Sequence, residues 1–162
     1  MSKRLPAIIF ALYLLILSII LLRINLQSVA FPFPFFNLVK KDGLAKILEQ
    51  NTNLVPFFSI RLYVRAFQNG TLSNWDILAN LAGNILLFVP MGVFLPSLFK
   101  KMRRWLPLLG LMILILVGVE VSQLLLMTGR LDIDDIILNL TGALLGFFFW
   151  HLWWGVRHHF GN

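Results

Sequence analysis

Polar side chains that could do chemistry are few in this sequence, and most lie within or beside long apolar runs. Of the seven acids among 162 residues, five are in that setting: Asp76, Glu120, Asp132, Asp134 and Asp135. A carboxylate inside hydrocarbon is costly unless it is paired or wet, so Glu120 is the most informative of them. Paired carboxylates can act as general acid and base, or hold a hard cation such as Mg²⁺ or Ca²⁺. We take Glu120, Asp132, Asp134 and Asp135 as candidate catalytic residues.

Amide side chains follow the acids at helical spacing. Asp76, Asn80 and Asn84 are four residues apart, as are Asp135 and Asn139, so each set shares one helix face. The candidate ligand-binding residues are Asp76, Asn80, Asn84, Gln123, Arg130 and Asn139. Structural alternatives exist, because amides can join helices by hydrogen bonds and an aspartate can cap a helix. Glu120 could likewise be a structural partner of Arg130.

The composition is that of a membrane protein. The chain is 59% apolar and only 13% charged, whereas a soluble domain carries about 25% charged residues. Its net charge of +7 comes from basic residues that lie between apolar runs and not on one polar face, so we expect no nucleic-acid partner. The absence of cysteine removes disulfide scaffolds, thiolate metal sites and cysteine nucleophiles.

Four apolar runs near the roughly 20 residues that a bilayer requires predict an all-α integral membrane protein. We place the transmembrane helices at about 5–22, 75–99, 105–127 and 133–154, in one domain covering 1–162. The first run could instead be a signal peptide cleaved before Phe31, but Arg23 closes it as a membrane stop would. Gly142 and Gly146 predict close helix packing.

The connection at 23–74 is predicted to lie at the membrane interface. Alternating prolines prevent 31–36 from being helical throughout, and Asp42 is predicted to cap a short helix. Residues 56–67 have apolar residues at helical spacing, with Arg61 and Arg65 on another face. This pattern predicts a helix lying in the interface, or one packed on the protein's own surface.

Alternation of the last three helices places the acids at one membrane face. Asp76 begins the second predicted helix, Glu120 is near the end of the third, and the three aspartates begin the fourth. The four cations within 100–104 favour the cytoplasm for the opposite face. We therefore expect both termini in the cytoplasm and the acids at the extracytoplasmic face.

Three motifs resemble those of the VanZ-like family. They are residues 80–92 (NLAGNILLFVPMG), 120–123 (EVSQ) and 130–135 (RLDIDD) with Asn139 and Gly142, and residues 53–57 (NLVPF) are similar to a segment of longer members. The resemblance covers about 53–146. It implies a small multi-pass protein of the bacterial cytoplasmic membrane, in a family named for a component linked to teicoplanin resistance.

Three functions fit these residues. The first is a site for an amphiphilic or lipid-linked cell-envelope molecule, such as a lipid-linked precursor or a lipoglycopeptide, with Arg61, Arg65 and Arg130 holding phosphates. The second is an intramembrane enzyme acting on a lipid-linked phosphate or glycan, for which Ser122 is a weak nucleophile. The third is a structural or accessory subunit whose polar residues seat a partner. Membrane lipids are expected contacts in every case, and the protein could oligomerise.

Overall fold

The computed structural model describes residues 4–22, 34–71 and 73–160, and in a few of these the backbone alone. Its long helices are α1 (Arg4–Leu21), α5 (Asn74–Leu98), α6 (Trp105–Leu126) and α7 (Ile133–Phe160). Three short helices lie between α1 and α5: α2 (Pro34–Asp42), α3 (Leu44–Asn51) and α4 (Phe58–Gln68). A 3₁₀ turn, Lys100–Arg103, joins α5 to α6.

The predicted all-α membrane fold is confirmed. Among the described residues, four helical segments are long and apolar enough to cross a bilayer: Arg4–Leu21, Ile77–Leu98, Trp105–Leu126 and Ile133–Trp153. Helix α7 continues to Phe160, beyond its predicted end at 154. Arg23 and the alternative cleavage point before Phe31 lie outside the described residues.

The core of the bundle runs along one face of α6. Its buried residues recur every four positions, at Leu108, Met112, Leu116, Glu120 and Leu124, so they form one stripe that faces the other helices. Apolar side chains of α1, α5 and α7 pack against Leu108, Met112 and Leu116 of this stripe. Glu120 therefore occupies a core position between Leu116 and Leu124 in an otherwise apolar stripe.

Helices α5 and α7 pack backbone to backbone. A Cβ at Gly142 would overlap the carbonyl oxygen of Ile85, and Gly92 and Gly146 are approached as closely. The prediction of close packing from Gly142 and Gly146 is confirmed, and Gly92 provides the matching surface on α5. Helix α1 is fastened to α5 by the Tyr13 hydroxyl, which donates to the carbonyl of Leu87 at 2.6 Å.

The connection between α1 and α5 differs in two respects from its prediction. Asp42 does not cap the next helix: it ends α2, and the residue before α3 is Gly43, whose φ of 83° suits glycine. Asp42 forms an ion pair with Lys46 at 3.5 Å instead. A two-residue strand, β1 (Thr52–Asn53), was not predicted, and it pairs in parallel with β2 (Leu131–Asp132).

The predicted helix at 56–67 is present as α4, two residues later at its start. None of its side chains is fully buried, which agrees with a surface position. Helix α2 begins at Pro34, where a missing N–H costs nothing. Residues 31–33 of the proline-rich run lie outside the described part of the chain.

Candidate functional site

The candidate site lies where α5 and α7 begin and α6 ends, which we call the acidic end of the bundle. Strand β2 brings the chain from α6 into α7 at this end, and β1 pairs with it. Helix α4 follows β1 by a short turn, so it is held over the start of α7. Asp132 and Asp134 therefore contact a surface segment at this end.

Asp132 joins three elements through its carboxylate. Its Oδ1 accepts from the backbone N–H of Asp134 at 2.9 Å, which makes Asp132 the N-cap of α7. The same oxygen accepts from the side-chain amide of Asn53 at 2.9 Å, and Oδ2 accepts from the hydroxyl of Ser59. Asp132 therefore caps α7, as the structural alternative predicted, and it also accepts one hydrogen bond from β1 and one from α4.

Asp134 holds the beginning of α4. Its side chain is fully buried, and its two oxygens accept from the backbone N–H groups of Phe57 and Ile60. These are donors that the first turn of a helix cannot satisfy within itself. Phe57 has a left-handed backbone, with φ of 62°, a conformation that needs support from its surroundings. Asp134 supplies that support, and it caps a helix 74 positions earlier in the chain.

Glu120 is 3% exposed and also bonds to the backbone. Its Oε2 accepts from the N–H of Asp132 at 2.8 Å. Among the described residues Glu120 does not pair with Arg130, whose side chain is exposed and lines the cleft described below. Because Glu120 is itself held in the buried stripe of α6, this hydrogen bond fixes the entry of the chain into α7.

The amides at this end connect the long helices. Asn84 of α5 donates to the carboxylate of Asp135 on α7 at 2.8 Å. Gln123 of α6 donates to the carbonyl of Leu21, the last residue of α1, at 2.8 Å. Asn139 is 3% exposed, and its side-chain oxygen is buried without a hydrogen-bond partner among the described residues. The helix-joining alternative therefore describes Asn84 and Gln123.

A cleft of about 740 Å³ opens between α4 and the acidic end, and we call it the polar cleft. Two arginines, two aspartates, three amides and three hydroxyls line it, together with a few small or apolar residues. These polar residues are Ser59, Tyr63, Arg65, Asn69, Thr71, Asn80, Gln123, Arg130, Asp132 and Asp135. Both charge signs and many neutral donors and acceptors thus surround one space.

Some of the residues predicted from the sequence line the cleft, and others do not. The lining of the cleft includes five of them: Asn80, Gln123, Arg130, Asp132 and Asp135. It does not include Glu120, Asp134, Asn84 or Asn139, which lie in the bundle and in its hydrogen-bond network. The side chain of Asp76 lies outside the described part of the chain. No catalytic role is tested by these positions, so those assignments stay predictions.

Four polar residues that line the cleft were not predicted from the sequence as site residues. Ser59, Tyr63, Asn69 and Thr71 come from α4 and its C-terminal turn. Nothing in the periodicity of that segment distinguishes them from ordinary surface residues. Asn53 was noted only for its place in a motif, and its pairing with Asp132 now accounts for it.

The three arginines expected to hold phosphates differ in their position relative to the cleft. Arg65 and Arg130 line the cleft, but Arg61 does not. Its Nε donates to the carbonyl of Phe57 at 3.0 Å, one turn earlier in α4. Arg61 and Arg65 are four residues apart on α4, yet only Arg65 lines the cleft.

Within the described part of the chain the carboxylates form no metal centre. Among the described residues, no three Asp, Glu or His side chains converge closely enough to hold a metal ion. Their oxygens accept hydrogen bonds from backbone and side-chain N–H groups instead. The candidate nucleophile Ser122 donates to the carbonyl of Gly118 on its own helix, and it does not line the cleft.

The family model for VanZ/LLP1 matches residues 9–154, which include the whole of α5 and α6, most of α1 and α7, and the acidic end. No curated protein matches the chain, and no solved structure does.

Proposed function

The chain belongs to the VanZ/LLP1 family, and we propose that its cleft binds the anionic head group of an amphiphilic or lipid-linked cell-envelope molecule. One observation carries the proposal: Arg65 and Arg130 come from separate elements to line the same cleft at the end of a membrane bundle. A guanidinium donates two parallel hydrogen bonds to a phosphate or carboxylate, which gives both strength and orientation.

The remaining lining suits a polar group attached to that anion. Asn80 and Gln123 offer amide groups, and Tyr63 and Thr71 offer hydroxyls. Sugars and peptides present the same kinds of donors and acceptors. Asp135 adds a carboxylate, which can accept from a hydroxyl or an amine. The lining therefore favours a phosphorylated glycan or peptide head group over a bare phosphate.

The surroundings of the cleft favour a ligand with an apolar tail. Leu62 lines the cleft and is 49% exposed, and Phe67 of α4 is exposed as well. Below them, α5 presents Leu78 and Leu86 to the lipid. A head group held in the cleft could thus keep its hydrocarbon chain in the bilayer.

Charge asymmetry supports an outward-facing cleft. The short connection between α5 and α6 carries four cations within residues 100–104, and such loops remain preferentially in the cytoplasm. Both termini then lie in the cytoplasm, and the acidic end faces the outer leaflet. Lipid-linked envelope precursors and lipoglycopeptides, which carry an acyl chain, are both amphiphiles accessible from that side.

Native mass spectrometry of the protein released gently from its own membrane tests the proposal. We would compare the wild type with the Arg65→Gln, Arg130→Gln double variant. The matched control is Arg61→Gln, which removes a charge from the same helix without touching the cleft. Polyprenyl phosphate and teicoplanin would be added separately as defined probes.

The proposal predicts an amphiphile bound to the wild type and to the control but lost from the double variant. Equal occupancy in all three proteins would contradict it. A copurifying protein in place of a lipid would favour an accessory subunit. Polyprenyl phosphate that emerges with a changed mass would instead favour an enzyme.

A further inference from the structure

The two ends of the bundle differ in their content of acidic residues. No Asp or Glu occurs between Asp76 and Glu120 or after Asp135, so the end at which α5 finishes and α6 begins has no acid on those helices or on α7. We call this the basic end. Arg4 belongs to it as well, because α1 runs antiparallel to α5 and pairs Phe10 with Phe94, with ring centroids 5.4 Å apart.

A second cleft of about 440 Å³ lies at the basic end, and we call it the basic cleft. Its lining residues are Arg103, Arg104, Trp105, Leu106, Pro107, Phe147 and His151, and the surface that they turn toward the space is almost entirely apolar. The space lies between the 3₁₀ turn and α7, on the far side of the bundle from the polar cleft. It is therefore a separate feature with its own chemistry.

The two arginines differ in their surroundings. Arg103 is half-buried: its Nε donates to the carbonyl of Pro96 at 3.3 Å, and its guanidinium lies 5.8 Å from the ring centre of Trp150. Arg104 is exposed, as are Lys100 and Lys101. Arg103 thus helps to shape the wall, while the exposed Arg104 brings positive charge to the cleft.

The apolar part of the lining is also open. Trp105 and Leu106 are each 60% exposed at the first turn of α6. A tryptophan at this position is typical of the boundary between head groups and hydrocarbon. A ligand that fits both parts needs an anionic group beside Arg104 and a hydrocarbon portion against Trp105 and Leu106.

We propose that the basic cleft binds an anionic phospholipid of the leaflet that it faces, with the phosphate beside Arg104 and the first acyl carbons against Trp105. Charge complementarity selects the occupant, because this end supplies cations and no acid to repel a phosphate. Basic pockets between transmembrane helices bind anionic head groups in this way. The inference is independent of the function proposed for the polar cleft.

Lipid binding to the full-length protein in detergent tests this site. The probes are phosphatidylglycerol and phosphatidylcholine of equal chain length, titrated and counted by native mass spectrometry. We would compare the wild type with Arg104→Gln, and use Arg61→Gln as the control because it removes an exposed arginine from the opposite end. Equal melting temperatures would show that the variants remain folded.

The expected result is a dissociation constant for phosphatidylglycerol about fivefold weaker in Arg104→Gln, the usual contribution of one cation near an anionic surface. Phosphatidylcholine binding and the Arg61→Gln control should not change. Equal phosphatidylglycerol binding by wild type and Arg104→Gln would overturn the proposal. Displacement of the lipid by millimolar glycerol phosphate would also overturn it, because the site would then recognise a soluble phosphate.

Discussion

The carboxylate of Asp134, at the start of α7, accepts a hydrogen bond from the backbone N–H of Ile60, 74 positions earlier in the chain, at 3.1 Å. An acid that would be unusual in a membrane protein's interior is therefore the anchor for a surface helix. Helix α4 forms one wall of the polar cleft, so the geometry of the cleft depends on this buried contact.

Replacing Asp134 by asparagine should loosen α4. An amide offers one oxygen to two backbone donors and places an N–H group against the other. A buried donor left unsatisfied costs about 1–3 kcal/mol, so the melting temperature should fall. Hydrogen exchange should also accelerate at the amides of Phe57 and Ile60. The control is Asp42→Asn, which breaks a partly exposed ion pair worth about 0–1 kcal/mol. Unchanged exchange at both amides would contradict this account of Asp134.

Two substitutions at Glu120 separate its charge from its hydrogen bond. Glu120→Gln keeps an oxygen that can accept from the N–H of Asp132, so we expect little loss of stability. Glu120→Leu continues the apolar stripe of α6 but leaves that donor unpaired, and should destabilise the fold by about 1–3 kcal/mol. Detergent unfolding of both variants measures the difference. A leucine variant as stable as the glutamine variant would show that the bond is unimportant.

The close contact of α5 and α7 predicts a strong position dependence for Gly→Ala changes. Gly142→Ala places a methyl group on the carbonyl of Ile85, and overpacking of this kind costs about 1–3 kcal/mol. Gly118→Ala is the control, since a Cβ there meets nothing within 4 Å and alanine favours a helix. We expect Gly142→Ala alone to lower the midpoint of thermal unfolding. Equal midpoints would contradict the packing described here.

The absence of cysteine makes the orientation directly measurable. Asn69→Cys places a thiol at the acidic end, and Lys101→Cys places one at the basic end; both positions are exposed. A membrane-impermeant maleimide applied to intact cells should label Asn69→Cys alone, and permeabilised cells should add Lys101→Cys. The reverse pattern would show that the protein is inserted with its polar cleft toward the cytoplasm.

Some of this architecture follows from sequence because the bilayer restricts the choices. Apolar runs of sufficient length must be helices, and the alternation of those helices is enough to bring Glu120 and Asp135 to one end. The burial of Glu120 does not follow from its spacing, because α6 is apolar on every side and only the structure shows which face is buried.

The contacts of the surface segment do not follow from sequence in that way. Asp134 bonds to backbone N–H groups, which every residue except proline carries, so no side-chain pattern marks Phe57 and Ile60 as its partners. Strand β1 has only two residues, too few for alternation to show. Arg61 and Arg65 lie one turn apart on α4, and only tertiary packing decides which of them reaches the cleft.

The affinity of polyprenyl phosphate for the protein in nanodiscs tests the central claim most directly. Hydrogen bonds to charged groups contribute about 1.5–3 kcal/mol each, so Arg65→Gln and Arg130→Gln should each weaken binding by about tenfold or more. Arg61→Gln, one turn away on α4, should stay within about twofold of the wild type. Equal affinities for all four proteins would contradict a head-group site in the polar cleft.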